Sequence, residues 1–249
     1  MAPNERSLPT IASPTIEQVF DEFLAEQEQR LKPTTFSRYR SVIQLLTIHL
    51  NNYGYEGLAE EESGLFEKHF NAEGDEHREF CQVFGPDHIV SSLGSFLNYF
   101  MVRKVMMAGV GLMRAAGTVT KKLSKWLAEK GYIGEVAAAR GAERGAEAAR
   151  DLPAAERAAQ ILAEAGEFFF DPDDLPDEDY IDFDHFTITR MEPGKLWLEH
   201  FVTGEGVIGP IAVPKKATDL LQVDWEISCA LARLRGKWRL VEVANVYPR

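Results

Sequence analysis

Five side chains on one expected helix set the chemistry open to this chain. Arg114, Thr118, Lys121, Lys122 and Lys125 stand at i, i+4, i+7, i+8 and i+11, a spacing that puts all five on one helical face. Four cations beside a hydroxyl suit phosphate neutralisation by Coulomb attraction and charge-assisted hydrogen bonds. Arg38 and Arg40 form a second cationic group, in a stretch from Arg30 to Tyr55 that has no acidic residue. Such contacts hold a protein on a polyanion and read no base sequence. A solvated face, or an acidic protein surface such as this chain's own acidic segment, satisfies the same charges.

Other constellations carry less. The acidic run from Asp171 to Asp184 lacks the ligand spacing and turn glycine of a calcium loop, and Pro172 and Pro176 interrupt it, so it reads as a solvated linker. His185 and His200 flank an expected hairpin without a third ligand at zinc spacing. Gly109 and Gly111 follow a helix instead of a strand, outside the context of a phosphate-binding loop. Cys81 and Cys229 each sit in an apolar pattern and read as buried free thiols. No serine or cysteine nucleophile motif is present, and neither a metal nor a cofactor is expected.

The charge distribution bears on the basic face. Of 249 residues, 27 are Lys or Arg and 39 are Asp or Glu, a net charge of −12. From His88 to Ile133, however, seven basic residues meet one acid, Glu129, whereas nine basic and sixteen acidic residues lie between Glu167 and Arg249. Screening limits each exposed charge to roughly 10 Å, so a local cationic face survives a negative total. No apolar run approaches the ~18–20 residues of a membrane helix. The opening "MAPNERSLPTIASPT" lacks the pattern of a signal peptide and reads as a short disordered tail, which gives the expectation of a cytoplasmic protein.

The elements that must position these residues fall into three zones: helices over 13–133, an Ala/Gly/Arg/Glu-rich helical connector over 134–166, and strands over 167–249. Thr15 and Gln18 form a T-x-x-Q capping box ahead of a core stripe of Ile16, Val19, Phe20, Phe23 and Leu24. Pro33 opens a second helix, ending at Gly54, with Phe36, Tyr39, Ile43, Leu46 and Leu50 as its seam. After an acidic excursion over 55–85, a third helix is expected from Pro86 to Met107. A fourth runs from Leu112 to Lys130 with Leu112, Ala116, Val119, Leu123 and Trp126 inward. Pro153 should split the connector into two short helices. Val223 to Ala232 alternates as a half-buried strand, Pro193-Gly194 and Arg235-Gly236 mark hairpin turns, and "GVIGPIAVP" adds a short strand. The fold class is therefore α+β: a four-helix bundle, the connector, and a small antiparallel β-barrel or curved sheet.

Residues 16–133 resemble the SAM-like core-binding domain of phage integrases and other tyrosine recombinases. The matching residues are Thr35 and Tyr39 opening the second helix, Phe96 and Phe100 in the third, and the closing "LSKWLAEKGYI". The resemblance implies a four-helix unit forming one side of a clamp on duplex DNA. Recombination itself also needs a tyrosine nucleophile, an arginine pair, a lysine and an H-x-x-R element. None of the six histidines has Arg three residues later, and Tyr247 reads as a packing residue.

The leading expectation is a non-catalytic DNA-binding protein that uses Arg38, Arg40, Arg114, Lys121, Lys122 and Lys125. Its β domain would serve a protein partner or self-association. The alternatives are a structural or adaptor protein that has lost DNA binding, and an enzyme whose site is assembled across both domains.

Overall fold

Thr15 starts the first helix as its spacing to Gln18 requires. In the computed structural model, which describes residues 10–105, 109–166, 175–201 and 206–249, the Gln18 N–H donates to the Thr15 hydroxyl at 3.3 Å. The Thr15 N–H donates in return to the Gln18 side chain at 3.0 Å. Helix α1 (Ile16–Arg30) buries Ile16, Val19, Phe20 and Phe23, whereas Leu24, at the edge of that stripe, is only half-buried. Pro33 begins α2 (Pro33–Tyr53), at a position whose N–H has no helical partner to lose. The inward seam of α2 is Val42, Ile43, Leu46, His49 and Leu50, with Phe36 and Tyr39 half-buried. The acidic excursion holds α3 (Glu60–Phe70) and α4 (Phe80–Val83).

The expected third helix is interrupted. α5 (Asp87–Ser95) passes into a π turn over Phe96–Phe100 and then α6 (Met101–Arg103). A π turn shifts the helical phase, and Phe96, Leu97, Phe100 and Met101 are all buried. α7 (Gly109–Glu129) follows, and then α8 (Glu135–Ala165). The expected break at Pro153 is absent: α8 continues through it for 31 residues. Proline removes one helical hydrogen bond. Here alanine-rich flanks favour the helix, and burial of Leu152, Pro153, Ala155, Ala158, Ala159 and Leu162 offsets that loss.

Two compact units result, Met1–Phe96 with Thr118–Ala146 and Leu97–Gly117 with Glu147–Arg249. In the first, Phe23 is a hub: Tyr39 stacks on it at 6.2 Å between centroids, and Trp126 meets it edge-on at 5.2 Å.

The second unit holds a five-stranded antiparallel sheet of β1 (Tyr180–Glu192), β2 (Lys195–His200), β3 (Val207–Ala212), β4 (Glu226–Leu234) and β5 (Lys237–Tyr247). The strand order is β3-β2-β1-β4-β5, with β3 and β5 as edges. The sheet is open, so the barrel alternative is not formed, but it curves until β3 and β5 approach each other without pairing. The physical reason lies in what fills its core face. Ala155, Ala158, Ala159 and Leu162 of α8 pack there against Phe186, Ile188, Leu198, Ile227 and Leu231, in the space a closed barrel would have to fill with its own side chains.

β4 also differs from expectation. Val223 to Trp225 precede it, and Ser228, Ala230 and Ala232 are buried along with Ile227, Cys229 and Leu231. β4 lies between β1 and β5, with the α8 cluster on one face and α6 approaching β5, so its small residues are covered as well. Both expected turns form, with Gly194 at φ 76° and Arg235-Gly236 at 52° and 74°. The acidic run is not a linker throughout: Tyr180 to Asp184 belong to β1, and Arg233 pairs with Asp179 and Glu178. Asp171, Asp173 and Asp174 lie outside the described residues, as do residues 1–9 of the expected tail; the rest of that tail is anchored, the Ala12 N–H donating to the Val83 carbonyl at 2.9 Å and Thr15 capping α1.

Candidate functional site

The amphipathic pattern of α7 decides where its cations go. Met113, Ala116, Val119, Leu123, Trp126 and Leu127 are buried on one side. Arg114, Thr118, Lys121 and Lys125 are exposed on the other, within an arc of about 60° at 100° per residue. From Arg114 to Lys125 the stripe covers about 16 Å of helix axis. Lys122 stands half-buried at its flank.

Lys130, one turn beyond, is used differently. Its ammonium pairs with Glu22 at 2.8 Å and with Glu26, and lies 5.4 Å from the Trp126 ring. The Trp126 indole N–H donates to Glu26, and the Tyr132 hydroxyl donates to Glu22. The Lys130 hydrogen bonds, joined by those of Tyr132 and Trp126, hold both carboxyls below the usual range. The two carboxylates in turn raise the Lys130 pKa. Among the described residues, Lys121, Lys122, Lys125, Arg38 and Arg40 have no ion pair of this kind.

Arg38 and Arg40 are exposed on α2. Two helical positions separate them, about 200° of rotation, so they leave the helix on different sides. Tyr39 between them turns inward to Phe23, and burial raises its hydroxyl pKa. One face of α2 therefore presents one of these arginines. The helical unit, which holds Lys121, Lys122 and Lys125 but not Arg114, carries 13 basic and 19 acidic residues, so these lysines are a local feature of a negative body.

The sheet unit gathers polar groups that sequence spacing did not reveal. His200 Nε2 lies 2.9 Å from Asp184 Oδ2, while Asp184 Oδ1 accepts the His185 backbone N–H at 2.7 Å. Those bonds, the backbone one first, lower the Asp184 pKa. Arg103 Nη1 is 3.3 Å from His185 Nε2. The other ring nitrogen, Nδ1, lies 4.0 Å from Glu226 Oε2. Glu226 accepts from Arg249 at 3.0 and 3.1 Å. Among the described residues no three His, Cys, Asp or Glu side chains converge as metal ligands. The only sequence signal for this cluster is the alternation that puts His185 and Glu226 on facing strands; Arg103 comes from 82 residues away.

Cys81 and Cys229 are buried free thiols, and burial raises both pKa values. No helix among the described residues is long and apolar enough to cross a membrane. No protein-family model, no curated protein and no solved structure matches the chain.

Proposed function

We propose that helix α7 binds duplex DNA through its phosphates, without reading base sequence, along its stripe of Arg114, Lys121 and Lys125. Lys122 assists from the flank, and Arg38 or Arg40 adds a further contact. The observation that carries this reading is the exposure of Lys121 and Lys125 without ion-pair partners among the described residues, while nearby Lys130 is consumed by Glu22 and Glu26. The residues resembling the recombinase core-binding domain support the same assignment. The sheet unit serves a protein partner or a second copy, a role supported by its exposed Phe183, Phe201 and Val207.

Fluorescence anisotropy with a labelled duplex at 50 and 200 mM salt tests the proposal. The three stripe contacts alone predict that affinity falls about 40-fold across that range, and with Lys122 and one α2 arginine the fall approaches about 500-fold; Lys121→Glu with Lys125→Glu should lower the salt slope by about two. Absence of binding at 50 mM salt, or binding indifferent to the double variant, overturns it. The six-acid surplus of the helical unit would then favour the second reading, an adaptor for a basic protein.

A further inference from the structure

The acidic excursion, which the DNA reading leaves unused, contains a cavity of about 460 Å³. It opens where α2 and α3 both end. Asn51 and Asn52 come from the last turn of α2, Tyr55 from the 3₁₀ turn that follows, and Phe66, Glu67 and Phe70 from α3. Phe66 is buried as the floor, while Tyr55 and Phe70 remain 48% and 42% exposed. The rings form a series: Tyr55 is stacked on Phe66 at 6.2 Å, and Phe70 lies 5.1 Å from Phe66.

Two features favour a positive occupant. Glu67 is exposed and has no ion pair among the described residues. Asn52 spends its Nδ2 on the Ile48 carbonyl at 2.7 Å, which leaves its Oδ1 as an acceptor without a described partner. Around them, residues 56–79 carry nine acids against Lys68 and Arg78. The aromatic rings then choose among cations. A bare ammonium holds its water, whereas an alkylated ammonium is weakly hydrated and gains from ring faces.

We propose that the Tyr55–Phe66–Phe70 cavity is a binding site for an alkylated ammonium group, with Glu67 as its counter-charge. The group arrives either on a free small molecule or on a methylated lysine side chain, and both present the same chemistry to the cavity.

Ligand-observed NMR titration of the full chain tests this with three probes. These are N-acetyl-trimethyllysine amide, its neutral tert-butyl isostere, and a short peptide holding one trimethyllysine. Saturable binding of the cation is expected, at least about 10-fold tighter than the isostere, with Glu67→Gln, Tyr55→Leu and Phe70→Leu each weakening it roughly 2- to 30-fold. Tyr55 and Phe70 are half-exposed and Glu67→Gln changes no packing, so unchanged thermal melting separates loss of the site from loss of the fold. A peptide bound markedly tighter than the amino-acid probe assigns the site to a protein segment, and equal binding assigns it to a free amine. Isostere binding as tight as the cation, no saturable binding, or binding unmoved by Glu67→Gln and Tyr55→Leu overturns the proposal.

Discussion

The indole N–H of Trp126 on α7 donates to Glu26 on α1 at 2.8 Å, across 100 residues of sequence. The same ring packs edge-on against Phe23 at 5.2 Å, so one side chain sets both the spacing and the rotation of α7. With that rotation fixed, Lys121 and Lys125 have no way to turn inward. Trp126→Ala should destabilise the protein by about 3–5 kcal/mol. Trp126→Phe should cost less, since it keeps most of the buried ring and loses the bond to Glu26. Urea denaturation read by circular dichroism checks both, and equal midpoints for the two variants would contradict this role.

Acid should weaken the helical unit in two stages. His49 is 3% exposed, its Nε2 lies 3.0 Å from Ser95 Oγ, and burial pushes the imidazole down to about 4. Between the unfolded value near 6.5 and that lowered value, the unfolded chain binds the extra proton, so stability is full above about pH 6.5 and falls by up to about 3 kcal/mol toward pH 4. Glu22 and Glu26 are lowered too, so their contribution is present above the ordinary carboxylate range and is lost as pH falls through their depressed values. Melting temperatures from pH 8 to 3 should show both stages. His49→Gln should flatten the first, and Glu22→Gln with Glu26→Gln the second.

Gly141 on α8 leaves room for Ser124 on α7. A Cβ at 141 would stand 2.4 Å from Ser124 Oγ, 3.0 Å from its Cβ and 3.2 Å from Val90. Helix propensity favours Gly141→Ala by about 1 kcal/mol. Overpacking at such distances costs typically 1–3 kcal/mol, so a net loss is expected. Ser124→Ala removes the nearest atom, and the double variant should recover part of that loss. Additive effects in a double-mutant cycle would show that the two helices part without strain.

Signals of short range were legible in the sequence. Thr15 with Gln18, Pro33, and the turns at Gly194 and Arg235-Gly236 each act within a few residues, and each forms. The cationic stripe was legible for the same reason, since helical period alone fixes Arg114, Lys121 and Lys125 relative to one another. What escaped depends on distant partners. Pro153 breaks a helix unless burial along its length compensates, and that burial comes from β-strands later in the chain. Ala230 and Ala232 resemble the open side of a strand until β1 and β5 flank it. Arg38 and Arg40 read as one group by adjacency, although helical rotation separates them. The cavity at Tyr55, Phe66 and Phe70 sits in a segment whose acids and glycines suggest a loop, and its rings meet only because α3 brings Phe66 back to Tyr55 in the turn that follows α2.

The β4–β5 hairpin offers a gain in stability. Arg235 and Gly236 have φ values of 52° and 74°, the pairing of a type I′ turn, whose twist matches that of the flanking strands. Gly236 takes that conformation freely, but Arg235 carries a Cβ against its preceding backbone. Asparagine tolerates the left-handed region far better than arginine, and Asn-Gly is the preferred pair for this turn. The Arg235 side chain is exposed and has no ion pair among the described residues, so little is lost with it. Arg235→Asn should therefore stabilise the protein by about 0.5–1 kcal/mol. Thermal melting should rise accordingly, whereas Arg235→Val, β-branched at the same φ, should melt lower than the parent.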